Sequence, residues 1–471
     1  KNNFFKITIT ITITVVFVVF FNVGFGVFAN VKEPCLTLKN NLEHDFSQAR
    51  LNKKNEDVLV KILLLTKWID LDHIYEMNHS QLRNTLLLNL AQKTSIKKEE
   101  LKIFSDLDLT TIALMYRFLE NSKIKPTEEL KLMTLDGLKN TLLNANKENT
   151  HFSISTLKKF SNYKNFRTAY NWWLPKNYET LIKNLNEVEA VKAHYKLGDN
   201  YNHSTDVLKI ERIDEKDYKY IGVYHKMVGN NHFELSLAGS NNLKSWTFIV
   251  TLGDRAHQGE LTKWGDGFLL VNEEDKTEGS NNIEIRYYTS YKNLKMNIAY
   301  KSLSLPRKFS EFAEGTPDIR KIVGETPSDS YIQIGFHYFN NGDVDYQAMG
   351  ILKNFKQWKA WKDDITNYNI LEKGFKGNIG GRTSFKYLND QLIILEAQID
   401  KNDFSKWRLL IGDGAFYTQL NLKTSYGSTS FANPGITQID KSTYAITSYL
   451  HSKGNSYKEK GQLIYLTKLN D

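Results

Sequence analysis

The 471-residue chain holds a single cysteine, Cys35, so neither an intrachain disulfide framework nor a thiolate metal cluster can form. Glycine is almost missing from the first part: of 27 glycines, three (Gly24, Gly26, Gly137) precede residue 190. Glycine is costly inside helices and useful in turns between short strands, so this imbalance predicts an all-α region followed by an all-β region. No block of lysine and arginine stands out within the net charge of +9, and a nucleic-acid footprint is therefore not expected. Ser/His/Asp nucleophile contexts, phosphate-cradling glycine loops and zinc-ligand spacings are absent too, and no cofactor or metal is expected. What remains is globular material, 41% hydrophobic and 24% charged, which excludes a mainly disordered or multi-span membrane chain. Aromatics reach 13%, a richness common on surfaces that bind sugars or stack bases.

Residues 1–29 differ from the rest. An uncharged, Thr-rich apolar run extends from Ile7 to Ala29, with Val27 and Ala29 placed as small residues for a signal peptidase. The run is also long enough, at about 20 residues, to act as an uncleaved anchor. Either way the remainder is expected outside the cytoplasm, secreted if the segment is cleaved before Asn30. Cys35 follows Lys32, Glu33 and Pro34, which does not suit lipid attachment.

Residues 38–185 show helical periodicity, with Val58, Ile62, Leu65 and Ile69 followed by Leu82, Leu86 and Leu87. The pattern from Met77 to Leu87 returns from Met133 to Leu143, which predicts a helical repeat module of structural or docking character. The aromatic stretch Tyr170–Leu174 is expected to pack this module onto the β region.

Residues 190–471 repeat more regularly. Five segments open on a short motif and run through two apolar strands, starting at Asp206, Glu260, Asp318, Ser384 and Gly435. Four of them carry a third element: Leu243–Trp246, Leu294–Asn297, Phe355–Trp358 and Phe404–Trp407. Units of about fifty residues with three or four strands are propeller blades. The expected fold is thus a multidomain α plus all-β chain, a helical module followed by a five-bladed β-propeller. A strand near Ala190–Tyr195 could complete the last blade.

In a propeller, the starts of the first strands and the ends of the second strands open on one face. The first set supplies Asp206, Glu260 and either Glu314 or Asp318; the second supplies His225, Glu273, His337, Glu396 and His451. Carboxylates ringed with imidazoles suit glycosidase chemistry, in which one carboxylate activates water and another protonates the leaving oxygen. Arg382, in Gly380-Gly381-Arg382, could clamp a carboxylated sugar or cover a turn. Trp246, Trp358 and Trp407 recur at one blade position and read as packing residues. The three histidines fall in blades one, three and five, and no metal site is read from them.

The segment Ala313-Glu314-Gly315-Thr316-Pro317-Asp318-Ile319 resembles the acid-bearing Glu-Gly-Pro strand of five-bladed glycoside hydrolases of families 43 and 32. Ser240-Asn-Asn-Leu-Lys-Ser-Trp246 is similar to their recurrent blade motif. The resemblance covers about residues 195–471. It implies an inverting glycoside hydrolase acting on a poly- or oligosaccharide, with Asp206 as base, Glu260 as pKa modulator and Glu314 as acid. Asp318, His225, His337 and Arg382 would line the substrate site. Thr316 stands as an insertion in the motif, Asp199 rivals Asp206 as base, and the second blade offers Glu where the pattern has Asp. The alternative is a catalytically inactive propeller that binds glycans or a protein partner.

Overall fold

The computed structural model describes residues 56–94, short stretches between 97 and 117, 178–187 and, with brief gaps, 205–468. The N-terminal apolar run, Asp199, His451, the second helical copy from Met133, the Tyr170–Leu174 stretch and the expected strand near Ala190 lie outside the described residues. No described helix is long and apolar enough to cross a membrane.

Alternating apolar strands separated by short turns fold locally into antiparallel sheets, and each of the five segments forms one sheet in chain order. The first contains β1 (Thr205–Arg212), β2 (Tyr220–Gly229), β3 (His232–Ser240) and β4 (Thr247–Asp254). The second contains β5 (Ala256–Trp264), β6 (Gly267–Thr277), β7 (Ser280–Tyr288) and β8 (Lys301–Ser304). The third contains β9 (Glu314–Val323), β10 (Tyr331–Phe339), β11 (Asp345–Lys353) and β12 (Gln357–Lys362). The fourth contains β13 (Ile379–Tyr387), β14 (Asp390–Gln398), β15 (Trp407–Gly412) and β16 (Tyr417–Gln419). These four-stranded sheets are propeller blades; a three-stranded sheet of β17 (Phe431–Gln438), β18 (Thr443–Leu450) and β19 (Gly461–Lys468) comes after them in the chain.

The first strands pack side by side in the order β1, β5, β9, β13, β17, and β17 also packs against β1. At that last contact Thr437 Oγ1 donates to the Ile210 carbonyl, Thr447 Oγ1 donates to the Leu208 carbonyl at 2.6 Å, and the Arg212 guanidinium donates to the Ile439 carbonyl.

The blade motif has a clear local cause. Asn242 Oδ1 accepts from the N–H groups of Lys244 and Ser245 at 2.9 and 2.8 Å, and Ser240 Oγ accepts from Leu243 N–H at 3.0 Å. Trp246 Nε1 donates to the Leu243 carbonyl at 3.1 Å, which turns the indole over Gly222. In the third blade Trp358 also covers a glycine, Gly350 on β11, although its Nε1 has no hydrogen-bond partner among the described residues. The fourth segment departs from the expected order: Phe404–Trp407 lies between β14 and β15, one strand earlier than its counterparts. The shared pattern there marks a turn followed by a packing tryptophan, not a fixed strand number.

Five described helices precede the sheets: α1 (Glu56–Thr66), α2 (Leu71–Glu76), α3 (His79–Thr94), α4 (Lys98–Leu101) and α5 (Glu179–Glu187). They share a hydrophobic core with the third, fourth and last sheets. Polar contacts fix the joint: Lys359 Nζ donates to the Tyr75 carbonyl at 2.6 Å, and Tyr178 Oη donates to Asp390 at 3.0 Å. The Arg117 guanidinium pairs with Asp413 where both are buried. Every residue of α1 from Val58 to Leu63 is buried, Lys61 included. Its Nζ reaches Asp363 Oδ2 at 2.6 Å. Asp363 in turn caps α7 (Asp364–Glu372), its Oδ1 accepting from Thr366 N–H at 3.2 Å; α6 (Tyr291–Lys295) lies in the second blade.

Candidate functional site

Each first strand breaks register near its start, at 205/207, 257/260, 315/318, 379/382 and 432/435. An extra residue there re-aims the chain, and such bulges concentrate beside functional sites. In three of the five, a non-glycine residue takes left-handed backbone: Gln258 (φ 50°), Thr316 (φ 43°) and Asn433 (φ 50°). Strain of this kind persists only where the surroundings fix it. Here a contact across the axis does so, since Gln258 Nε2 on β5 donates to Asn433 Oδ1 on β17 at 3.2 Å. A methyl group on Gly381 would lie 3.0 Å from Thr316 Cγ2 and 3.2 Å from both Asn433 Oδ1 and Glu396 Oε1. Three blades and the last sheet thus converge on the axis through their bulges. Thr316, an insertion when the motif is read as sequence, is the bulge residue of its blade.

The second strands place their charged groups around this convergence. Glu273 on β6 is held by four donors: Thr316 N–H and Oγ1 at Oε1, and Asn281 Nδ2 and His257 Nε2 at Oε2. Burial alone would raise its pKa, but His257, His337 and Asn281 outweigh burial and hold the carboxyl well below its ordinary range. With about four lone-pair sites per carboxylate, Glu273 has none left for water. It is an anchor. Gly315 is required beside it, because a Cβ there would fall inside the Glu273 carboxyl group. Gly315→Ala should therefore cost about 1–3 kcal/mol in urea unfolding, the usual range for an over-packed interior; no loss would mean that Glu273 lies elsewhere.

Glu396 on β14 has a different environment. Gly381 N–H donates to its Oε1 at 2.6 Å and Asn433 N–H donates to its Oε2. It has no salt bridge among the described residues. Burial pushes its pKa up to about 7 against the pull of those two N–H groups and of Lys209. Each oxygen keeps a lone pair for a proton. His225 Nδ1 accepts from Gln258 N–H at 3.1 Å, and its ring meets that of His257 edge to face at 5.8 Å. His337 is half-buried, and its Nδ1 has no hydrogen-bond partner among the described residues.

The carboxylates singled out in the sequence fall into three places. Asp206 lies at the β1 bulge, with its side chain outside the described residues. Glu314 is 2% exposed, and its Oε1 accepts from the N–H groups of Lys308, Phe309 and Ser310. It grips the loop leading into β9, while burial raises its pKa. Glu260 faces Lys209, whose Nζ lies 2.9 Å from its Oε2, and its Oε1 accepts from Ile319 N–H at 2.9 Å. The carboxylate whose charge bears on Glu260 is Asp318, and the expected partnership with Glu314 is not formed.

Below the bulges, these groups form an ionic septum across the axis. Lys209 Nζ also donates to the Arg382 carbonyl at 2.8 Å. Arg382 Nε lies 3.4 Å from Asp318 Oδ1, and Arg320 Nε lies 3.6 Å from the same oxygen. Arg320 Nη1 then faces Asp363 Oδ2 at 3.8 Å, the atom that Lys61 also holds. Asp318 and Arg382 are wholly buried. Burial lowers the Arg382 pKa to about 10. A guanidinium so enclosed cannot clamp a sugar, and the expectation that Asp318 and Arg382 line a substrate site is corrected. The residues that sequence reasoning missed are Lys209, Gln258, His257 and Asn433. Lys209 stands three residues after Asp206, at the opening of the first repeat, but nothing in the chain pointed to its partner.

No protein-family model matches this sequence, and no curated protein resembles it. Among solved structures, a glycoside hydrolase is similar over 62% of this chain and 95% of its own, at 12% identity and a TM-score of 0.41. A thermostable family-43 glycoside hydrolase is similar over 59% of this chain and 93% of its own, at 10% identity and a TM-score of 0.39. A family 117 glycoside hydrolase produced by the marine bacterium Zobellia galactanivorans is similar over 61% of this chain and 94% of its own, at 12% identity and a TM-score of 0.39.

Proposed function

We propose that this protein is a secreted glycan-acting hydrolase, with its reaction centre on the bulged face of the propeller. The three-stranded sheet is, on this reading, the fifth blade of a closed ring, supported by the contacts of β17 with both β13 and β1. The observation that carries the activity is Glu396: a buried carboxyl on the axis, without a salt bridge among the described residues, that keeps its proton to about pH 7. Those are the properties of a general acid working near neutrality. Asp206, at the bulge of the first blade, is the base in the single-displacement scheme that the sequence resemblance implies, and Glu273 braces the bulge of the third blade at Thr316. Glu260 balances Lys209, and Glu314 fixes a loop.

The test is turnover on a panel of plant, algal and microbial glycans, followed by substitution of each carboxylate. A wild-type protein that binds members of the panel and turns over none would make it the inactive glycan-binding propeller. That reading has an observation in its favour, since Lys209 neutralises the carboxylate at the modulator position.

A further inference from the structure

The axis continues beyond the septum. On its far side, toward the ends of the first strands, lies a cavity of about 430 Å³, floored by the Lys209–Glu260 pair. That volume lies within the range of small-ligand pockets. Its walls are rich in acceptors. Glu211 is half-buried, and its Oε1 accepts from Lys263 N–H at 3.1 Å. Ser384 Oγ already donates to Asp318 Oδ2, and Thr437 Oγ1 to the Ile210 carbonyl, so both hydroxyls offer lone pairs. Phe385 and Tyr444, edge to face at 5.8 Å, supply the apolar part of the lining.

Charge decides what fits. Lys209 is spent on Glu260 and on the Arg382 carbonyl. Arg212 is exposed and turned to Asp214 and the Ile439 carbonyl, and Lys386 is exposed. Glu211 has no salt bridge among the described residues and, unlike the exposed Lys386, is half-buried, so it is the unpaired anion of the walls. We propose that this cavity is a second binding site, separate from the bulged face, for a small ligand carrying a primary ammonium group, with Glu211 as its counter-ion. Burial, with the charge of Glu260 behind it, pushes the Glu211 pKa up to about 7 against the pull of Lys263. The site is therefore charged for such a ligand above neutrality and loses its charge below.

Calorimetric titration of the full chain at pH 8 tests this with three probes: glucamine, which stays protonated there, the uncharged polyol sorbitol, and ethanolamine. Glucamine should bind at least tenfold more tightly than sorbitol. Ethanolamine binding equally would identify simple amines as the ligand source, and weaker ethanolamine binding would identify amino polyols. Affinity for glucamine should fall about tenfold or more at pH 5.5, and Glu211→Gln should remove that pH dependence together with the binding. Gln can still accept from Lys263 N–H, so the variant keeps the wall. Glu396→Gln should leave glucamine binding unchanged, so a failure of the hydrolase reading would not disturb this one. Sorbitol binding as tightly as glucamine, no binding of either amine, or loss of binding in Glu396→Gln would overturn the proposal.

Discussion

Glu396→Gln should lower turnover on unactivated glycans by about 10²–10⁴-fold while leaving binding largely intact, because the missing proton matters in the transition state. Dinitrophenyl glycosides, whose leaving group needs no proton, should be cleaved by the variant at close to the wild-type rate. Glu314→Gln is the informative contrast. The sequence resemblance makes it the acid and expects the same collapse, whereas its grip on the 308–310 loop makes it a support, with a loss of less than about tenfold. The pH profile separates them further. An acid must be protonated to act, and Glu396 loses its proton through about pH 7, so kcat/KM should fall as pH rises through that value. This limb should vanish in Glu396→Gln and persist in Glu314→Gln. Full activity in Glu396→Gln on unactivated substrate would refute the assignment.

Lys61→Met should destabilise the whole protein by about 3–5 kcal/mol, the usual cost of stranding one member of a buried ion pair. Lys61 is 3% exposed and Asp363 is not exposed at all. Burial alone would raise the Asp363 pKa, but Lys61 and Arg320 outweigh it and hold the carboxyl below its ordinary value. Without Lys61, that charge is left with Arg320 at 3.8 Å. Adding Asp363→Asn should recover most of the loss, since Asn can still cap α7 and Arg320 keeps Asp318. Urea unfolding followed by fluorescence and by circular dichroism should show one coincident transition. A loss under about 1 kcal/mol, or separate transitions for helices and sheets, would show that the pair does not couple them.

These expectations mark where the sequence could be read and where it could not. The blades were legible because their period is carried by neighbours along the chain: Asn242, Leu243 and Trp246 make their turn with one another. The fourth segment misled because the same local turn can precede either of two strands. Residues on the bulged face were legible as a set, since strand-two ends named Glu273 and Glu396 together. Their roles were not. Glu273 is filled by donors from His257, Asn281 and Thr316, and Glu396 is set apart by having two N–H groups and no salt bridge among the described residues. Such differences arise from residues on other blades. The septum was hidden for the same reason, because Lys209 meets Glu260 across 51 positions and Lys61 meets Asp363 across 302. The helical segment supplies one of these buried charges, Lys61, to Asp363 beside the third blade.

The contact between β17 and β1 has a consequence for the order of events in the life of the chain. The carbonyls of Leu208 and Ile210 wait for hydroxyls from Thr447 and Thr437, which are made more than two hundred residues later. Until residues 431–468 have been synthesised, or have crossed a membrane if the chain is exported, the first blade presents an unoccupied flank. Pairings so distant in sequence form slowly. With one cysteine there is no covalent latch to lock the join once made. The seam between the first and last sheets is accordingly a contact that a nascent chain can make only at the end of its synthesis.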